Sequence, residues 1–203
     1  MATLSGASLA GGSSARGRVD DDFYATPEEA TKALLGVEEI LYPALEPACG
    51  AGHISKLLDE DRTYSSDLID RGYGVCGVDF LDTIWDSYST VITNPPFKLF
   101  QEFAEKALEV ATKKVIKIQA LEGQKRGTFM EMSPLKYVYV FKDRVNPLRN
   151  GSSVDDNGKP WRSTMCFAWY VWEQGYEGNT VLKWLEVDDK KDGNMSLVDM
   201  LGE

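Results

Sequence analysis

Histidine is almost missing from this chain: His53 is the only one in 203 residues. That excludes histidine-rich metal sites, and any catalytic triad would have to run through this single ring. Cysteine is scarce and odd in number, and Cys49, Cys76 and Cys166 lack metal-binding spacing. They read as free thiols of a reducing compartment, so no metal is expected and the expected location is cytoplasmic. Positive charge is also short, with 22 Lys and Arg against 32 Asp and Glu and a net charge of −10. A protein that coats nucleic acid through a broad basic face is disfavoured by this balance. A local basic cleft stays open, because charges act over about a Debye length, roughly 8–10 Å. No apolar run approaches the ~20 residues of a membrane span, and there is no signal-peptide pattern, so no membrane partner is expected. What remains is 43% hydrophobic and 27% charged residues, the balance of a globular protein with one sizeable core.

Three segments follow from composition. Residues 1–19 are rich in Gly, Ser and Ala and are expected to form a disordered leader. Residues 20–187 carry the periodic patterns of a single domain, interrupted by a long inserted loop at 142–164, and residues 188–203 form an acidic tail. Within the domain, Thr26-Pro27-Glu28-Glu29 opens a helix, with Thr26 as N-cap and two acids on its positive end. Tyr42 to Leu45 leads into Glu46-Pro47-Ala48-Cys49-Gly50-Ala51-Gly52, and Lys56-Leu57-Leu58 continues as helix. This is a strand, a glycine turn and a helix start, a combination that lets backbone N–H groups approach a ligand. Thr63 to Asp67 and Val75 to Val78 read as strands, each with an acid at or just past its tip, Asp67 and Asp79. Two such acids suit a nucleoside, one for ribose hydroxyls and one for an adenine amine; either one singly reads more plainly as a strand-end cap.

Val91-Ile92-Thr93 then runs into Asn94-Pro95-Pro96-Phe97. The prolines fix φ and remove two donors, so the strand stops and an amide and an aromatic ring are left on a stiff loop. Open α/β sheets bind ligands at such carboxyl ends. The chemistry suited to this loop is methyl transfer to an amino group conjugated with a ring or a carbonyl. An Asn carbonyl and a backbone carbonyl can each accept one N–H and turn the nitrogen lone pair toward the donor. The plainer reading is a Pro-Pro turn after a buried strand.

In combination these residues resemble the S-adenosylmethionine-dependent adenine-N6 DNA methyltransferases, in particular the small bacteriophage type. Asp22-Phe23-Tyr24-Ala25-Thr26-Pro27, Glu46 to Gly52, Asp67, Asp79-Phe80 and Asn94 to Phe97 stand in the order of that family's motifs. The resemblance spans roughly residues 22–185. It implies an α/β fold with a Rossmann-like class I methyltransferase sheet, mostly parallel with a C-terminal antiparallel hairpin. It implies S-adenosylmethionine as cofactor. Phe23, Tyr24 and Thr26 would line its methionine end, and Ala48, Cys49, Gly50 and Gly52 would wrap it, with Glu46 near its amino group. Asp67 would hold the ribose, Asp79 the adenine amine, and Phe80 would pack on the ring. Asn94 and the Pro95 carbonyl would polarise the target amine, Pro96 would stiffen the loop, and Phe97 would stack on an extruded base. The implied partner is DNA carrying a target adenine. No segment reads as a separate target-recognition domain, so a protein partner supplying sequence specificity is a further expectation.

In the C-terminal half, Phe100 to Ala111 has the spacing of an amphipathic helix, and Lys114–Ile118, Tyr137–Phe141, Met165–Trp172 and Val181–Val187 read as strands. Lys125 and Arg126 follow the first of these strands, on the sheet's ligand-binding edge, and are expected to contact nucleic acid. Arg144, Arg149, Lys159, Trp161 and Arg162 lie in the long loop, a set suited to phosphate contacts and base stacking. A flexible surface insertion explains the same loop equally well. Two other functions stay open: methylation of RNA or of a protein glutamine, and a non-catalytic binding module or nucleic-acid decoy.

Overall fold

The structure, a computed structural model, describes residues 24–120, 126–146, 148–149, 152–153, 157–158 and 166–187, with only the backbone of residues 119, 120 and 149. The expected leader and acidic tail, Phe23, Lys125, Lys159, Trp161 and Arg162 lie outside the described residues.

Ten strands and three α-helices are described. A short strand β1 (Tyr24–Ala25) precedes helix α1 (Glu28–Leu35) and strand β2 (Ala44–Glu46). Strands β3 (Thr63–Asp67), β4 (Val75–Cys76) and β5 (Tyr88–Thr93) follow. Helix α2 (Phe100–Val110) then leads to β6 (Ala111–Ala120), helix α3 (Gly127–Met132) and β7 (Leu135–Phe141). Strands β8 (Leu148–Arg149), β9 (Phe167–Glu173) and β10 (Val181–Leu185) complete the order.

Eight strands form one sheet in the order β10-β7-β9-β6-β5-β2-β3-β4. Pairing is parallel except where β9 inserts antiparallel between β6 and β7, so the expected sheet with its antiparallel hairpin is present. The chain leaves β2 toward β3 on one side and returns to β5 on the other. That reversal opens a crevice at the carboxyl ends of β2 and β5. A separate antiparallel pair joins β1 to β8, with Tyr24 opposite Arg149 and Ala25 opposite Leu148.

The sheet is buried on both faces in its centre. On the α1 side, Leu34, Ile92, Ile116 and Trp169 pack together; on the α2 side, Phe100, Phe103, Val91, Val115 and Trp172 do. This explains why Phe167 to Trp172 does not alternate: β9 is a central strand with no wet face. Trp169 donates its indole N–H to the Ala30 carbonyl at 3.0 Å, clipping α1 to the sheet. No helix among the described residues is long and apolar enough to cross a membrane.

Two local expectations are corrected. Thr26 is not the cap of α1, which starts at Glu28 after Pro27 without a side-chain cap. The helix expected after the glycine turn is a single 3₁₀ turn, Ser55–Leu57, and Leu58 is already extended. Ser55 gives both its N–H and its hydroxyl to Glu46, and Asp59, Glu60 and Asp61 follow where a longer helix would have its negative end.

Candidate active site

A cavity of about 260 Å³ opens at the crevice between β2 and β5. Glu46, Ala48 and Cys49 reach it from the β2 turn, Asp67 from β3, and Asp79 and Phe80 from the segment after β4. Tyr24, Thr26, Asn94 and Pro96 line it from the other side. Residues as far apart in sequence as Tyr24 and Phe103 thus share one space. Pro95 and Phe97 are not among its lining residues, and neither are Gly50 and Gly52.

The glycine turn is braced from below. The Gly50 N–H donates to Asp67 Oδ2 at 2.8 Å, and the Ile69 N–H to Asp67 Oδ1 at 2.9 Å, so the strand-end acid fixes its own loop and the turn beside it. Gly50 and Gly52 hold φ of 55° and 79°, in the left-handed region where L side chains are strained. A Cβ on Gly52 would come within 2.6 Å of the Tyr73 ring. Asp79 accepts the Leu81 N–H at 2.9 Å and so caps its turn as well as facing the cavity.

Glu46 is fully buried at the floor. Desolvation pushes its carboxyl up to about 8, against the opposing pull of two hydrogen bonds from Ser55. The Ser55 hydroxyl lies 2.6 Å from that of Ser65, which extends the network away from the cavity. Burial, aided by Glu46 and Asp67, pushes the Cys49 thiol up to about 12, so it is no nucleophile at neutral pH.

On the opposite wall, Asn94 Nδ2 donates to the Tyr24 carbonyl at 2.7 Å and to Thr26 Oγ1 at 3.0 Å. A carbonyl only accepts, so the contact with Tyr24 defines which end of the amide is NH₂. Among the described residues nothing donates to Asn94 Oδ1. Phe97 stacks on Tyr24, with centroids 5.3 Å apart and planes 14° from parallel, and meets Phe167 at 6.0 Å.

Residues that the sequence did not single out complete the walls: Ile54, Leu68, Ile69, Arg71, Leu99 and Phe103. Behind the Asn94 loop, Lys117 is sealed in the sheet and donates to the Phe100 carbonyl at 2.6 Å. Its Nζ sits 3.7 Å from the centre of the Phe100 ring. Burial first, then the nearby Arg126, drives its pKa well below the ordinary lysine range. Arg126 turns inward too, onto the Phe97 carbonyl at 3.3 Å and over the Phe100 ring. Arg144 is exposed, and of Arg149 the backbone alone is placed, in β8. Among the described residues no cluster of three His, Cys, Asp or Glu could hold a metal ion.

Solved structures share this fold. A protein from Listeria monocytogenes assigned to the class I S-adenosylmethionine-dependent methyltransferases superposes with a TM-score of 0.56 at 11% identity, over 83% of this chain and 67% of that one. The fold is that of the class I methyltransferases. A predicted O-methyltransferase from Agrobacterium tumefaciens gives 0.52 at 10% identity, over 87% of this chain and 95% of that one. The M protein of the type I restriction enzyme EcoKI gives 0.53 at 15% identity, over 86% of this chain. The chain spans about 50% of that M protein's length. No protein-family model and no curated protein sequence matches the chain. In this class I fold the Asn94 loop and the glycine turn stand on adjacent strands, β5 and β2, at the switch point of the sheet.

Proposed function

We propose that this chain transfers a methyl group from S-adenosylmethionine to the exocyclic N6 amine of adenine in DNA. The observation that carries the reading is Asn94: both amide protons are engaged by Tyr24 and Thr26, and the amide lines the same cavity as three carboxyl side chains. Those carboxyls (Glu46, Asp67, Asp79) suit a ligand bearing a sulfonium, an ammonium and a nucleoside, and Phe80, Ile69 and Leu81 offer an apolar slot for a purine. The left-handed Gly50 and Gly52 let the turn beneath fold tightly without side chains at those two positions. When bound, the cofactor supplies an electrophilic methyl carbon whose bond to sulfur breaks as the bond to nitrogen forms, the sulfur keeping the electron pair.

Asn94 Oδ1 would accept one N–H of the target amine, and the Pro95 carbonyl, next to the lining residues Asn94 and Pro96, would accept the other. This draws nitrogen toward tetrahedral geometry and directs its lone pair at the methyl carbon. The proton leaves to water after transfer, since an amide carbonyl is an acceptor and no base. A target in duplex must first be extruded, at a cost of a few kcal/mol. Phe97 and Tyr24, already stacked, form the aromatic platform beside which an extruded base would sit. The likeness to the M protein of a restriction enzyme fits a DNA substrate, and a partner protein would supply sequence specificity. Arg144, Arg149 and the basic residues of the 142–164 loop would contact phosphates.

Asn94→Ala tests this directly. Labelled-methyl transfer to adenine-bearing oligonucleotides should fall by about 100-fold or more, while calorimetric affinity for S-adenosylmethionine stays within a few-fold. Long-read detection of modified bases in cells making the chain or the variant gives the same answer in vivo. The net charge of −10 disfavours any polyanion, DNA and RNA alike, relative to a protein glutamine, and the Asn94 loop also suits the bases of RNA. RNA and glutamine peptides therefore belong in the same assay, and preferential labelling of either would overturn the DNA assignment.

A further inference from the structure

The resemblance places Thr26 against the cofactor, yet its hydroxyl accepts a hydrogen bond from Asn94 Nδ2 at 3.0 Å across 68 residues of sequence. Thr26 is 3% exposed, so this contact is not shared with bulk water. A planar amide can flip by half a turn, exchanging its carbonyl and NH₂. In the observed orientation Nδ2 meets two acceptors and Oδ1 is turned elsewhere; flipped, Oδ1 would face the Tyr24 carbonyl lone pairs. We propose that Thr26 is a positioning residue for the Asn94 amide: with the Tyr24 carbonyl it locks the side chain so that Oδ1 faces the target amine. The segment that does this is held in turn by β8, through the Tyr24–Arg149 and Ala25–Leu148 pairs. The orientation of the amide therefore depends on backbone contributed by the connection between β7 and β9. This inference rests on the proposed role of Asn94 and assigns Thr26 a task separate from cofactor binding.

The test compares Thr26→Val, which keeps shape and removes the hydroxyl, with Thr26→Ser, which keeps the hydroxyl, and with Thr26→Ala as a second removal. Three quantities are read: turnover at saturating cofactor and oligonucleotide, calorimetric affinity for S-adenosylmethionine, and the side-chain amide signals of Asn94 in a nitrogen-15 spectrum, identified by their loss in Asn94→Ala. Loss of one hydrogen bond should shift the amide pair and lower kcat about tenfold, with cofactor affinity unchanged within twofold, and Thr26→Ser should restore both. Unchanged amide signals in Thr26→Val and Thr26→Ala would overturn the proposal. So would weakened cofactor binding with full turnover at saturation. Should the unmodified chain transfer no methyl to adenine, the proposed function fails, and the amide signals still decide whether Thr26 orients Asn94.

Discussion

Glu46 ties folding to protonation, and under the proposed function it would tie both to cofactor binding. Its carboxyl is pushed up to about 8 in the folded chain, against 4.5 ordinarily, because burial desolvates it. Between those values the folded chain holds a proton that the unfolded chain has released. Folding then takes up a proton, and stability falls as pH rises through this window. Glu46→Gln should flatten that slope and melt above the parent at pH values beyond 8, as followed by scanning fluorimetry. A cationic ligand favours the ionised carboxylate. Binding of S-adenosylmethionine at neutral pH should therefore release about one proton from the parent and none from Glu46→Gln, measured by calorimetry in buffers of different ionisation enthalpy. Equal proton release from both would remove Glu46 from the binding site.

At the level of elements, the glycine turn and its neighbours are shaped by contacts with one another. Gly52 and Gly77 have similar left-handed φ, 79° and 74°, but a Cβ on Gly77 meets nothing within 4 Å, whereas one on Gly52 runs into Tyr73. Gly77→Ala should cost only the backbone term, about 1 kcal/mol. Gly52→Ala should cost more, about 1–3 kcal/mol, and should weaken cofactor binding because Tyr73 must move. Urea melts of the two variants check the ranking; an equal loss would show that Tyr73 yields freely. The glycines were legible because they are local signals. The shortening of the following helix to one 3₁₀ turn was not, because Lys56-Leu57-Leu58 carries a helical pattern and the chain turns extended only at Leu58.

Across the molecule, the sheet has a well-covered centre and barer edges. Trp169 in β9 is wholly buried, while Trp184 in the edge strand β10 is 64% exposed beside Leu182. The same residue type should respond in opposite ways. Trp169→Ala should cost about 3–5 kcal/mol through the cavity it leaves, with the lost bond to Ala30 in addition. Trp184→Lys should change stability by no more than about 0.5 kcal/mol and should raise the temperature at which light scattering begins, because an exposed apolar edge invites association. Denaturant melts and scattering ramps on the two variants check this, and a large loss for Trp184→Lys would mean that the edge is covered.

By itself the sequence determined the alternation of strands and helices, the strand-end acids, the glycine turn and the stiff Asn94 loop. Each is written within a few consecutive residues, where steric limits on proline and glycine and the periodicity of apolar side chains act directly. Tertiary structure alone decided that Thr26 faces Asn94 and not a helix terminus, that Phe97 stacks on Tyr24, and that Lys117 and Arg126 turn inward against Phe100. Those pairings join residues far apart in the chain. They exist because the sheet brings distant strand ends together and then excludes water, so that each polar group must find its partner among whatever the fold has placed beside it.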